Sequence, residues 1–226
     1  MTMSLFDQFT ISKTLGIPLI LLAILMPSIM MLPQNHLTHN RLTALQTLLI
    51  FSLTKHLFTP LNKPGHKWPL CLLSLMWLLL LLNLAGLLPY TFTPTTQLSL
   101  ALSLACPLWL TTILIGIRNQ PGTTVAHMLP LGTPAPLIPA LVLIETISLL
   151  IRPVALGVRL TANLTAGHLL ITLTSAATLT IIMLLPKIAT LAIALLLLLS
   201  ALEVAVAMIQ AYVFVLLLTL YMQENT

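Results

Sequence analysis

Seven polar side chains that could serve the passage of ions or protons lie within the apolar C-terminal part of the chain. They are Glu145, Arg152, Arg159, Asn163, His168, Glu203 and Gln210. An arginine keeps its proton at any physiological pH, and at the centre of a membrane helix it costs roughly 2.5–3.5 kcal/mol. Because ionisable residues in membrane segments usually mark ion or substrate pathways, this set indicates that ions or protons pass here.

The spacing sorts these residues onto different faces of one helix. Glu145, Arg152 and Arg159 recur every seven residues, and Asn163 follows four residues later. On an unbroken helix these four side chains share one stripe. His168 comes nine residues after Arg159, which is half a revolution away. We therefore expect the arginine and the histidine to face opposite sides of the helix.

The polar residues also pair by depth if the chain turns back at Pro186 and Lys187. His168 precedes this turn by about as many residues as Glu203 follows it. Asn163 and Gln210 are likewise at similar distances from it. A long hairpin therefore predicts two pairs, one of His168 with Glu203 and one of Asn163 with Gln210.

The two pairs and Glu145 predict two hydrophilic access points at different depths. His168 and Glu203 lie nearer the turn, Glu145 lies nearer the start of the hairpin, and Arg159 falls between them. A permanent cation would obstruct a continuous proton pore. It is useful in a protein that must prevent protons from passing directly from one access point to the other. A proton-binding carboxylate on a partner would be compelled to ionise beside the arginine, because a nearby opposite charge favours the charged form.

Small residues around the arginine would let a partner helix approach closely. They are Ala155, Gly157, Ala162 and Ala166. The hairpin therefore predicts a partner helix that carries the titratable carboxylate and passes close to the arginine.

Each polar residue of the hairpin also has a simpler interpretation. Arg159 could pair with an acidic residue of the same chain, and Glu145 could pair with Arg152 at the seven-residue spacing. His168 could be a hydrogen-bonded packing residue, and Glu203 could tie one helix to another. These alternatives stay open on the sequence alone.

The composition defines the class of protein. Of 226 residues, 58% are hydrophobic and only 6% are charged, and the mean hydropathy is +1.09. Soluble domains carry about 25% charged residues, so the chain is predicted to be an integral membrane protein.

The net charge of +5 is distributed along the whole chain, and no basic block with interleaved aromatic residues is present, which argues against nucleic acid as a partner. No phosphate-binding loop, metal cluster or nucleophile triad is evident, so we expect no cofactor, no metal site and no chemistry on ATP.

The apolar runs predict an all-α fold of about five membrane-embedded helices plus one interfacial amphipathic helix. Residues 15–32, 70–88 and 98–117 are predicted spans, and 41–58 is the interfacial helix, with a short further span as the alternative. Residues 137–185 and 188–222 are far longer than a bilayer core and predict a long tilted hairpin. We expect a single membrane domain over 1–226, with peripheral spans and the interfacial helix in 1–136 and the proton-path hairpin in 137–226.

The basic residues predict the orientation. Segments 33–68 and 118–136 contain arginine or lysine, whereas the 89–97 loop contains none. The positive-inside rule places the basic segments on the negative (N) side of the membrane and the loop on the positive (P) side. The hairpin then starts on the N side and turns on the P side. The basic cluster at 55–67 is expected to lie on anionic lipid.

Four sequence stretches resemble subunit a of the mitochondrial F-type ATP synthases. They are GLLPYTFTPTTQLSL (86–100), TPAPLIPALVLIETISLLIRP (133–153), RLTANLTAGHLL (159–170) and LEVAVAMIQAYVFVLLLTLY (202–221). The resemblance runs over nearly the whole chain. It implies six helices, one of them on the membrane surface, and a location in the mitochondrial inner membrane.

The resemblance also implies a stator of a rotary proton motor. Arg159 would be the essential stator arginine that faces the rotating ring of c subunits, with Asn163 and Gln210 beside it. Further partners would be other subunits of the membrane sector and of the peripheral stalk. The resemblance thus implies a subunit that moves protons and has no enzymatic activity on its own.

Two half-channels are implied by the same resemblance. Glu203 and His168 would line the P-side half-channel, and Glu145 the N-side half-channel. The main alternative from another class is a secondary ion/proton antiporter. Such transporters often carry internal repeats, and none is found here.

Overall fold

The computed structural model describes residues 9–11, 13–14, 16–30, 41–58, 68–88, 91–119, 121–122, 137–184 and 186–225. These residues form a nearly all-helical structure. The helices are α1 (Leu19–Met30), α2 (Arg41–Phe58), α3 (Pro69–Gly86), α4 (Leu98–Asn119), α5 (Ile138–Leu184) and α6 (Pro186–Asn225). The prediction of an all-α integral membrane protein is confirmed.

Four of these helices are long and apolar enough to cross a membrane: α3, α4, α5 and α6. Many large apolar side chains are exposed along them, including Leu110, Leu114 and Leu191. In water such exposure would be costly, whereas lipid is the solvent that accepts it. The 18 residues of α2 do not reach this hydropathy, which favours the interfacial helix over the short span. Its position at the membrane surface stays a prediction.

The first predicted span is shorter in the structure than in the sequence analysis. Helix α1 has 12 residues and is about 18 Å long at 1.5 Å per residue. The chain before it forms a β-hairpin with two strands of two residues each, in which Lys13 pairs with Pro18 and Thr14 pairs with Ile17. Gly16 turns this hairpin with a φ of 81°, which glycine adopts without steric cost. Residues 15, 31 and 32 of the predicted span lie outside the described residues.

The two longest helices follow each other almost without interruption. Helix α5 has 47 residues and α6 has 40, so only residue 185 separates them. The turn predicted at Pro186 and Lys187 is therefore off by one position, since both residues already belong to α6. A proline suits the first turn of a helix because the amide proton it lacks would have no partner there. Pro153 lies inside α5.

The loop between α3 and α4 is more ordered than its composition suggests. Pro94–Thr96 forms one turn of 3-10 helix, and Thr93, Thr95 and Thr96 are buried. The Thr93 and Thr96 hydroxyls lie 3.1 Å apart. Gly86 makes room for this turn, because a Cβ at Gly86 would lie 2.7 Å from Thr93 Cγ2.

The chain divides into two compact units. Unit 1 consists of Met1–Leu32, Leu78–Ala101 and Arg159–Tyr212. Unit 2 consists of Pro33–Trp77, Leu102–Val158 and Val213–Thr226. Buried side chains of unit 1 include Leu82, Leu160, Leu164, Ala207 and Ala211, and those of unit 2 include Leu72, Met76, Leu156, Val215 and Leu218. A single membrane domain with a division at residue 136 stays a prediction.

Candidate proton-transport site

The hairpin brings His168 of α5 and Glu203 of α6 together. His168 Nδ1 lies 3.8 Å from Glu203 Oε1. The Glu203 side chain is 5% exposed and the His168 side chain 20%. The pairing predicted from equal distances to the turn is confirmed. An apolar hairpin thus buries a carboxylate beside an imidazole.

A glycine makes the room for this carboxylate. A Cβ at Gly167 would lie 2.8 Å from Glu203 Oε1 and 3.2 Å from Glu203 Cδ. Any side chain at this position would displace the carboxylate. Gly167 is not among the site residues predicted from the sequence, although a glycine directly before a membrane histidine is a signal for close approach of another helix.

Several buried polar atoms of this pair have no hydrogen-bond partner among the described residues. Neither carboxylate oxygen of Glu203 has a hydrogen-bond partner among them, and His168 Nε2 has none either. Leaving a buried polar atom unpaired costs about 1–3 kcal/mol, and more for a charged group. Packing alone would favour apolar side chains here. A carboxylate and an imidazole with free polar atoms are able to take up, pass on and release protons.

Arg159 lies on the opposite face of α5. Arg159 and Asn163 are exposed, whereas Leu160 and Leu164 are buried, and His168 continues that buried stripe at four-residue spacing. The prediction that the arginine and the histidine face opposite sides is confirmed. No carboxylate in the described part of the chain forms an ion pair with Arg159, so an internal ion pair is not supported.

The small residues predicted around the arginine divide between the two faces. Ala155, Ala162 and Ala166 are exposed and flank Arg159, whereas Gly157 is buried. Gly157 is two residues before Arg159, which is about 200° around the helix. The prediction that Gly157 belongs to the partner-facing surface is therefore wrong.

Asn163 and Gln210 are both placed in unit 1. Asn163 is exposed and Gln210 is half-buried. Within the described residues no hydrogen bond joins their side chains. Their action beside the arginine stays a prediction.

A second polar cluster forms in unit 2 around Arg152. Its guanidinium lies 3.7 Å from Glu145 Oε1 and donates a hydrogen bond of 3.1 Å to Glu224 Oε2. It also lies 5.3 Å from the centre of the Tyr221 ring, within the range of a cation–π interaction. The ion pair of Glu145 with Arg152, which the sequence left open, is formed. Glu224 and Tyr221 were missed, because they are about 70 residues away in the chain.

Comparison with known proteins shows the family of the chain. The family model described as ATP synthase A chain matches residues 14–223. The chain belongs to the ATP synthase A chain family. A protein of Struthio camelus named "ATP synthase F(0) complex subunit a" is 63% identical over the full length of both chains. Proteins of the same name from Anas platyrhynchos and Gadus morhua are 62% and 59% identical, also over their full length.

Membership in the ATP synthase A chain family confirms the resemblance. The chain is a proton-translocating membrane subunit of ATP synthase and not an enzyme on its own. Its span-length helices fit a multi-pass protein of the mitochondrial inner membrane. The antiporter alternative loses its support, since the match over residues 14–223 includes all six predicted proton-path residues.

The contact at Gly167 yields a first testable prediction. In Gly167→Ala the new methyl group should push the flexible end of Glu203 away from His168, while alanine suits a helix better than glycine. Because a displacement of about 1 Å in a proton-transfer group is costly, we expect ATP-driven proton pumping to fall by roughly tenfold. Pumping is measured in vesicles per assembled complex.

Gly122→Ala is the matched control, because nothing lies within 4 Å of a Cβ at Gly122. It should pump like the unmodified complex. Normal pumping in Gly167→Ala would show that the position of the Glu203 carboxylate is unimportant.

Proposed function

We propose that the chain moves protons through two offset half-channels that Arg159 separates. The main observation in support is the arrangement on α5, where an exposed arginine without an ion-pair partner among the described residues and a half-buried histidine face opposite sides. The histidine side carries a buried carboxylate, and the arginine side carries small residues. Helix α5 thus presents His168, beside the Glu203 carboxylate of α6, on one face and a fixed positive charge on the other.

Glu203 and His168 serve the P-side half-channel in this proposal. Their polar atoms without partners among the described residues are Glu203 Oε1, Glu203 Oε2 and His168 Nε2. A proton taken up on the P side binds the carboxylate and passes to or from the imidazole. The next acceptor lies deeper in the membrane.

Arg159 faces a ring of c subunits, in which each subunit presents a carboxylate at membrane depth. Ala155, Ala162 and Ala166 allow the ring helices to approach closely. A ring carboxylate that arrives beside the guanidinium is held in its charged form and must release its proton first. Asn163 lies on the same exposed face, one turn further, and Gln210 completes the polar environment of the arginine. Other subunits of the membrane sector and of the peripheral stalk hold the chain against rotation.

Glu145 serves the N-side half-channel. It lies about 14 residues before Arg159 in the sequence, which is roughly 20 Å along a regular helix. Its side chain is 38% exposed, and Arg152 holds it on one side. Arg152 therefore orients Glu145, while the exposed part of the carboxylate exchanges protons with the N side.

Anionic lipid binds the basic cluster at 55–67. Lys55 and His56 lie in the last turn of α2 and are exposed. Lysine and arginine side chains near a membrane surface each contribute about 1 kcal/mol of attraction to anionic lipid. This contact would hold α2 parallel to the membrane.

Replacement of Glu203 by Gln tests the P-side half-channel. The amide keeps the size and polarity of the carboxylate but does not titrate. We expect the complex to assemble and to lose ATP-driven proton pumping by about a hundredfold, the usual contribution of a positioned acid or base. Assembly is quantified separately on native gels.

Thr219→Val controls for the loss of a buried polar group on the same helix. Thr219 is 3% exposed, and its hydroxyl already donates to the Leu216 carbonyl. This variant should pump normally. Full pumping by Glu203→Gln would reduce the His168–Glu203 pair to a structural tie.

Replacement of Glu145 by Gln tests the N-side half-channel. We expect slower turnover without a passive proton leak, because proton release loses its titratable group while Arg159 stays in place. Glu224→Gln is the comparison, since it removes the other ion pair of Arg152 and leaves Glu145 intact. If both variants slow turnover equally, ion pairing with Arg152 explains the effect and Glu145 has no role in proton transfer.

A further inference from the structure

The N-terminal part of the chain is bound to the start of α4 through the side chain of Gln97. Gln97 Nε2 donates a hydrogen bond of 2.6 Å to the Phe9 carbonyl oxygen, although the two residues are 88 positions apart. The acceptor is a backbone carbonyl, which every residue type supplies. The formation of this bond therefore depends on the side chain at position 97 and not on the side chain at position 9.

Gln97 is a fixed anchor because its backbone is bonded on both sides. Its amide nitrogen donates to the Pro94 carbonyl at the end of the 3-10 turn. Its carbonyl oxygen accepts from the amides of Leu100 and Ala101 in the first turn of α4. A polar side chain directly before a helix often bonds to the free amides of that helix, whereas the Gln97 side chain bonds to a distant segment.

The N-terminal part of the chain returns to the same loop a second time. After Phe9 the chain forms the β-hairpin of Lys13–Thr14 and Ile17–Pro18 and then continues into α1. Helix α1 contacts the 3-10 turn at Pro94–Thr96. The chain thus leaves the α3–α4 loop at Phe9 and reaches it again at α1, and the bond between Gln97 and Phe9 closes this excursion.

The α3–α4 loop is more buried than a connection between two helices usually is. Loops normally lie at the surface, whereas Thr93, Thr95 and Thr96 are buried. Thr93 packs closely against Gly86 of α3. Thr95 is 1% exposed, and its hydroxyl oxygen has no partner among the described residues. A buried hydroxyl without a partner is unfavourable, so water that reached Thr95 would bind to it.

We infer that Gln97 is a latch with a closed and an open position. In the closed position its amide holds Phe9, and α1 and the β-hairpin stay at the α3–α4 loop. In the open position the bond is broken, the β-hairpin moves away together with Phe9, and water reaches Thr95. The inference goes beyond the proposed function, because it needs neither the half-channels nor Arg159.

The open position is within reach of ordinary thermal motion. A hydrogen bond makes only a modest net contribution to stability, because water replaces the lost partner. Breaking the bond between Gln97 and Phe9 leaves α3 and α4 intact. Local openings of this kind occur well below the free energy of global unfolding.

Hydrogen–deuterium exchange of the assembled ATP synthase measures the latch. Gln97→Leu keeps the approximate size of the side chain and removes its donor. We expect the amides at positions 96 and 97, which bond to the Thr93 and Pro94 carbonyls, to exchange about two- to tenfold faster, the range that the loss of one hydrogen bond gives. The amides of the β-hairpin should exchange faster by a similar factor, because the same bond closes both segments.

Gln46→Leu is the matched control, since it makes the same substitution at an exposed position of α2. It should leave the exchange of both segments unchanged. If Gln97 only caps α4, then Gln97→Leu would speed the exchange of the Leu100 and Ala101 amides while the β-hairpin keeps its rate. Faster exchange in only one of the two segments, or in neither, overturns the inference.

Gln97→Glu decides the question if Gln97→Leu does not assemble. Glutamate has the shape of glutamine, and at neutral pH its carboxylate offers no donor to the Phe9 carbonyl. The latch predicts faster exchange of the β-hairpin and of the α3–α4 loop together in this variant. Unchanged exchange of either segment contradicts the latch.

Discussion

A guanidinium that cannot lose its proton lies on an exposed face of an apolar helix, and the rest of the arrangement depends on it. Arg159 has no carboxylate partner among the described residues, so its charge is directed outwards. A cation in this position is costly in lipid, and an anion from another subunit beside it would offset that cost. The proposed complex with a carboxylate-bearing partner is consistent with this exposed charge.

Helix α5 separates two kinds of surface because its residues alternate with helical periodicity. Leu160 and Leu164 lead to His168 on the buried face, whereas Arg159 and Asn163 lie on the exposed face. Gly167 lets α6 approach until the Glu203 carboxylate fills the space of the missing side chain. The His168–Glu203 pair and the fixed charge of Arg159 thus lie on opposite faces of one helix, and the proposed mechanism needs no mobile element to separate them.

The parts of this site that lie close to the hairpin turn could be predicted from the sequence, and the more distant parts could not. His168 and Glu203 lie 17 and 18 residues from residue 185, so simple counting brings them together. The same counting places Arg152 opposite residue 218, but Arg152 forms its ion pair with Glu224. Small differences in helix geometry accumulate with distance from the turn, and the long arginine and glutamate side chains span the remaining gap. Helix α3 is so rich in leucine that no buried face can be recognised, which hid the contact of Asn83 with α6. The sequence signal for this contact was the side-chain amide of Asn83 within an otherwise leucine-rich span.

The most direct test of the account is the proton leak and ATP synthesis of complexes that carry Arg159→Gln. We expect normal assembly, no ATP synthesis, and passive proton flow across vesicles with an imposed gradient, since a neutral ring carboxylate could then pass between the half-channels. Arg152→Gln is the matched control, because this arginine lies seven residues earlier on the same helix but is already paired with Glu145 and Glu224; it should stay coupled. Near-normal ATP synthesis by Arg159→Gln would contradict the account.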